Sequence, residues 1–388
     1  MTPPRPTRWL ALLLSIVLAA AACGGGESDT GRPGSPGSPA PGTSPGGSPV
    51  GSPGRSPDGS PPASPESPDA SPGGGEGTFQ NPVLERNFAD PFVLRVGDTY
   101  YAYATGNLTF NIQVSTSENL VDWSLPREAL PRLPRWQPSA KGLTWAPEVI
   151  ETSAGFVMHY TARDVQAGRQ CLAVAVAEEP SGPFVDESDG PLVCQLDLGG
   201  SIDSNPFVDE DGTPWLLWKN DGNCCGIPTR FYMQEMSEDG LTLSGAVHDL
   251  GVQNDRPWER DVIEAPTLWL HDGTYYLFYS ANGYNTRNYA VGYATSDTLL
   301  GPYTDAPENP ILATRAPVGS PAGDAAGPGH QSIVEDDDGD LWFAYHAWDV
   351  ALVGDQLGGK RSLWLDPLEF RDGKPIVDGP NPDPQPVP

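Results

Sequence analysis

The chain has 388 residues with 44 Pro and 45 Gly, and its 22 Lys and Arg against 51 Asp and Glu give a formal charge of -29. That balance argues against nucleic acid as a partner and against docking on an anionic membrane surface, because both need clustered cations. Eleven Trp, 13 Tyr and 11 Phe supply apolar area that a disordered chain lacks, so the surplus of Pro and Gly must be unevenly distributed.

Arg5 and Arg8 precede an apolar run from Trp9 to Ala22, then Cys23 and three glycines. A basic head, a short apolar core and small residues before a cut site read as an export signal spanning residues 1–22. Ala21-Ala22-Cys23 has the form of a bacterial lipobox, which would place a lipid on Cys23 and hold the protein on the outer face of the cell membrane. Ordinary cleavage nearby, with Cys23 incidental, is the alternative. Residues 23–77 follow as Gly, Ser and Pro in G-S-P units that cannot bury a core; they read as a disordered stalk. The folded part is then residues 78–388.

That part repeats. Five phrases share a short apolar strand, an acidic Gly turn and an aromatic strand, as in Asp90-Pro-Phe-Val-Leu-Arg-Val-Gly-Asp-Thr-Tyr-Tyr and Ala265-Pro-Thr-Leu-Trp-Leu-His-Asp-Gly-Thr-Tyr-Tyr. The turn glycines stand at 97, 155, 212, 273 and 339. A third strand follows in several units, and Gly182-Pro-Phe-Val and Gly301-Pro-Tyr-Thr close two of them. Three or four antiparallel strands repeated five times predict an all-β chain, a five-bladed β-propeller. A two-sheet sandwich gives no reason for such a period.

In a propeller the first strand of each blade lines the central channel. Asp90, Glu148, Asp203, Glu264 and His330 stand at or just before the first-strand starts, so they are expected to converge near the axis. Asp and Glu are poor strand formers, and gathering them raises electrostatic energy, which a fold tolerates more readily for function than for packing. The plain alternative is that they are turn acids on separate loops.

Phe88-Ala-Asp-Pro-Phe, Trp145-Ala-Pro-Glu-Val, Ser201-Ile-Asp-Ser-Asn-Pro-Phe, Ile263-Glu-Ala-Pro-Thr-Leu and Gly329-His-Gln-Ser, in this order and spacing, resemble the blade motifs of glycoside hydrolase family 43. The resemblance covers residues 79–370 and implies an inverting hydrolase of arabinose- or xylose-containing plant saccharides. An α-L-arabinofuranosidase is the first expectation, with a β-xylosidase, an endo-arabinanase or a non-catalytic sugar-binding propeller as alternatives. A retaining enzyme of fructosides fits the motifs less well.

The resemblance assigns Asp90 as general base, Glu264 as general acid and Asp203 as the acid that orients Glu264 and raises its pKa. It gives Arg361 to the substrate, and Trp145 and Glu148 join it as candidate substrate contacts. His330 resembles the family's channel histidine, which faces a structural calcium or a water cluster; Gln331 replaces the usual Asn beside it. No cofactor is required for the chemistry. Arabinan- or arabinoxylan-type saccharides are the expected partners of a monomer.

Export permits disulfides. Cys171 and Cys194 flank one hairpin, the most economical pair, and Cys224-Cys225 is open to a vicinal bridge or free thiols.

Overall fold

The alternating phrases leave each strand with one face to bury and the next strand in register, so consecutive strands pair and five antiparallel sheets result. A computed structural model describes residues 77–388; the signal-like segment, Cys23 and the stalk through residue 76 lie outside the described residues. Blade one comprises Phe92–Val96, Thr99–Ala104, Gln113–Ser117 and Arg127–Glu128. Blade two comprises Thr144–Thr152, Gly155–Asp164 and Arg169–Ala177, with Val185 bridged to Val176 in the outer position. Blade three runs through Ser201–Val208, Pro214–Asn220, Arg230–Met236 and Leu243–Gln253. Blade four is Ile263–His271, Thr274–Ala281, Ala290–Ser296 and Thr304–Asp305, and blade five is Ala325–Glu335, Leu341–Asp349, Arg361–Arg371 and Lys374–Val377.

Every first strand meets the first strand of the next blade, and that of blade five meets that of blade one. This is the five-bladed β-propeller expected from the repeats. Aromatic and aliphatic side chains fill the wedges between blades: Tyr103, Met158 and Phe184 between blades one and two, Phe231, Leu277 and Tyr279 between three and four. A fully buried Phe such as Phe343 contributes about 1.5–3 kcal/mol, so the wedges supply much of the force that holds the ring. Trp218, Trp342 and Trp364 are buried among these clusters, while Trp123 and Trp215 pack half-buried at their edges. All four strands of blade five come from one continuous stretch of chain, and among the described residues no N-terminal strand completes it. The entering segment is tied to it instead by the Leu84–Leu363 bridge and by Asn81, whose amide exchanges two 2.8 Å bonds with the Leu365 backbone. Thr78–Phe79 pairs with Gln385–Pro386.

Disulfides join Cys171 to Cys194 and Cys224 to Cys225.

One distortion recurs. Asp90 (φ 55°), Ala146 (44°), Asp203 (54°), Ala265 (53°) and His330 (52°) all adopt the left-handed region. In blades two to five the ladder slips there, between Trp145 and Glu148, Ile202 and Asn205, Glu264 and Thr267, and Gly329 and Ser332. A non-glycine residue held this way costs about 1–3 kcal/mol, and each bulge turns its side chain out of the ladder.

Candidate active site

The five left-handed residues, four of them at bulges, leave five backbone N–H groups that no ladder partner accepts, and side chains from neighbouring blades take them. Thr105 accepts from Ala146 at 3.0 Å, Thr161 from Asp203 at 3.2 Å, Ser280 from His330 at 2.7 Å, and His346 Nδ1 from Asp90 at 3.1 Å. Each of these caps stands near the end of a second strand or just beyond it. The remaining amide, that of Ala265, goes to Asp203 Oδ2 at 3.1 Å, because the second strand of blade three carries Lys219 there, which cannot accept.

Asp90 lies at the centre of a cationic and donor-rich group. Its Oδ1 receives Arg361 Nη1 at 2.8 Å and faces His330 Nδ1 at 3.4 Å; its Oδ2 accepts the Thr105 hydroxyl. His346 Nδ1 is also 3.4 Å away, but it already accepts the Asp90 amide, so this ring is neutral. Burial beside Arg361 pushes the His346 pKa well below its ordinary value, in agreement. For Asp90, burial alone would raise the carboxyl; Arg361, then His330 and the Thr105 hydroxyl, outweigh it and hold the pKa far below the usual carboxylate range. Arg361 is itself held over the Tyr284 ring at 4.7 Å and the Trp348 ring at 5.8 Å.

Glu264 stands one residue before the blade-four bulge. Its Oε1 accepts the Tyr289 hydroxyl at 2.8 Å and its Oε2 lies 3.5 Å from Lys219 Nζ. Burial raises its pKa; Lys219 opposes this and Asp203 adds to it. Burial also raises Asp203, against His330 and Lys219. Repulsion between charged carboxyls is mutual, so this pair resists carrying two charges at once. Tyr289 stacks on His346 with ring centroids 5.6 Å apart, joining this half of the site to the Asp90 half.

The structure thus joins Asp90, His330 and Arg361 by direct contacts, and places Asp203 and Glu264 on adjacent blades of the same axis. Trp145 is in step with Glu264, one residue before its own bulge, half-buried and held by its indole N–H to the Gly142 carbonyl at 3.0 Å. Glu148 departs from the expected convergence. It lies two residues beyond the bulge, one layer deeper, where its carboxyl is buried and accepts Asn205 Nδ2 at 2.7 Å. The reason is register: the blade-two bulge falls on Ala146, so Glu148 corresponds to Asn205 and Thr267, not to Asp90 or Asp203.

A model of the glycosyl hydrolases family 43 matches residues 79–375. The chain belongs to that family. Among solved family 43 structures, a thermostable glycoside hydrolase superposes with a TM-score of 0.70 at 35% identity, covering 80% of this chain and 99% of that one. A β-D-galactofuranosidase of Aspergillus niger is 26% identical over 76% of this chain and 84% of its own length. A xylan 1,3-β-xylosidase of a Vibrio species is 30% identical over 69% of this chain. The chain spans only 49% of that relative, and about half of several others.

Family 43 also raises the question of calcium near His330. The oxygens below His330 are already engaged: Gln331 Oε1 accepts Ser280 at 3.0 Å and Asn205 Oδ1 accepts the Leu268 amide at 3.0 Å. Among the described residues no group of three or more His, Cys, Asp and Glu is placed to hold a metal. This donor set does not fit a calcium cage of six to eight oxygens, and no step below passes through an ion.

Sequence reasoning passed over Thr105, Lys219, Tyr289 and His346. The residue following the buried aromatic of the second strand is Thr161, Lys219, Ser280 and His346 in blades two to five. Aligning second strands rather than first strands would have singled out Lys219 as the odd member.

Proposed function

We propose that the chain is an inverting glycoside hydrolase of xylan- and arabinan-type saccharides, with an α-L-arabinofuranosidase as the leading activity and β-xylosidase or endo-arabinanase action as variants of the same site. One observation carries the reading: of two carboxyls near one axis, Asp90 is ringed by Arg361, His330 and the Thr105 hydroxyl, which favour its charged form, while burial and the Asp203 charge push Glu264 toward its protonated form. Ionised Asp90 takes a proton from water as the water oxygen attacks the anomeric carbon. The bond from that carbon to the leaving oxygen breaks, and that oxygen takes the proton of Glu264. Asp203 keeps Glu264 protonated through like-charge repulsion, and Arg361 keeps Asp90 charged and aimed. Trp145 supplies an apolar wall for the sugar ring. The xylosidase and arabinofuranosidase names among the relatives support a pentose substrate.

The test is Asp90→Asn and Glu264→Gln, assayed on an aryl arabinofuranoside, an aryl xyloside and linear arabinan, with the first-released anomer read by NMR. Near wild-type turnover in either variant, or retention of configuration, sinks the proposal.

A further inference from the structure

Four of the five left-handed residues near the axis have their N–H capped from at or near the end of a neighbouring second strand by an acceptor: Thr105, Thr161, Ser280 or His346. The fifth cap position holds Lys219. Its side chain is fully buried, and its ammonium contacts Asn223 Oδ1 at 2.9 Å and Glu264 Oε2 at 3.5 Å. Burying an ammonium is costly, and a Thr or Ser here would satisfy the Ala265 amide as its counterparts do. The exception falls on the blade next to Glu264 and on no other.

We infer that Lys219 is a positioning residue for the general acid: together with Tyr289 it fixes the Glu264 carboxyl and sets a buried cation beside it. The inference rests on the general-acid reading of Glu264. With Tyr289 donating to Oε1 and Lys219 facing Oε2, each carboxyl oxygen has one fixed neighbour, and rotation about the terminal bond would break both contacts. The proton to be transferred then has a defined direction, toward the leaving oxygen.

The charges facing Glu264 come from every side. Asp203 comes from the first strand of blade three, and Lys219 and Asp221 from its second strand and the loop after it. Tyr289 and Tyr284 belong to the blade-four loop, and His330 to blade five. Lys219 and His330 pull the Glu264 pKa down, and Asp203 pushes it up. Asp221 is buried too, and Glu264 is among the charges that raise its pKa, so Lys219 is the cation set between three carboxyls.

Asn223 is exposed, in the loop that contains the Cys224–Cys225 bridge, and its carbonyl oxygen is the other partner of the ammonium. The loop therefore reaches from the rim to the general acid through a single side chain. Because Glu264 serves the leaving oxygen, this loop borders the side from which the cleaved saccharide departs.

The experiment compares Lys219→Met with wild type on two substrates, a pentose disaccharide and a nitrophenyl pentoside whose leaving group needs little protonation. With Lys219 removed, the alkaline limb of kcat/KM moves to higher pH by about half a unit or more, because a cation no longer favours the ionised acid. At the plateau, the disaccharide loses about tenfold or more while the nitrophenyl substrate loses markedly less. A purely packing role would lower both rates alike and leave the limb in place; that result overturns the inference.

Asn223→Ala, an exposed change that leaves the core intact, frees the ammonium to lean on Glu264 alone. Its limb moves the other way, to lower pH, and an unmoved limb also counts against the inference. Glu264→Gln is run alongside. If it keeps its activity on the disaccharide, the general-acid reading itself has failed; if it loses it while Lys219→Met keeps the wild-type limb, only the role of Lys219 has.

Discussion

The two halves of the site treat the same functional group in opposite ways. On the blade-one and blade-five side, Asp90 is largely enclosed, its side chain 13% exposed, yet Arg361, His330 and the Thr105 hydroxyl all favour its charged form. On the blade-three and blade-four side, Glu264 is equally enclosed but meets one partly diverted cation and a neighbouring carboxylate. Burial is common to both and cannot set them apart. What differs is the count of donors, so protonation is assigned by neighbours and not by residue type.

The largest break in that contrast comes from the two carboxyls themselves. Asp90→Asn should lose about 10³-fold or more on every substrate, because no other group on its side can take the proton from water. Glu264→Gln should lose a similar factor on saccharides but far less on nitrophenyl pentosides. Steady-state rates on the paired substrates check this, and equal losses in both variants would dissolve the distinction between the halves.

Next in size is Arg361→Met. It removes the 2.8 Å ion pair to the Asp90 carboxyl and the cation held over Tyr284 and Trp348. Activity should drop about ten- to a hundredfold, and the acid limb of kcat/KM should move up toward neutrality as Asp90 regains an ordinary pKa. A pH profile of the purified variant decides it; an acid limb that stays in place refutes the assigned role.

Asp203→Asn acts on the other half and with the other sign. Asn can still accept the Ala265 amide, so the bulge is kept while the charge is lost. Glu264 then ionises more easily, and the alkaline limb should fall by about one unit, with a loss of about tenfold near neutrality. A limb that rises or stays would mean that Asp203 does not govern the acid.

How much of this was legible in the sequence follows from which physical rule carried each part. The propeller was legible because acidic Gly turns and aromatic strands obey local rules of turn chemistry and period-two burial, repeated five times. Asp90, Asp203 and Glu264 were legible through motifs around them. The register within the first strand was not. Ala146 and Ala265 give no hint that they occupy left-handed backbone, a conformation imposed by the caps from neighbouring blades. Without that knowledge Glu148 counts as one more axial acid. Lys219 was hidden for a related reason: in Pro214–Asn220 it reads as the polar end of an apolar strand, and only the comparison across blades shows that its place belongs to an acceptor.

The smallest predicted effect tests that correction. Glu148→Gln should leave kcat/KM and both pH limbs within about twofold of wild type, since the residue lies a layer below the reacting groups and Gln can still accept Asn205. Its signature should be in stability instead. Burial, then the nearby Asp203 charge, raises the Glu148 pKa well above its ordinary 4.5, against the Asn205 hydrogen bond. A carboxyl whose folded pKa is raised contributes stability that is fully present below its unfolded pKa and is lost as pH rises toward the folded value. Wild-type Tm should therefore decline between pH 4.5 and 8 more steeply than that of Glu148→Gln, which has no proton to lose there. Thermal melts across that range separate the outcomes. Parallel curves would show that Glu148 is ionised in the fold, and a loss of activity would return it to the site from which its register removes it.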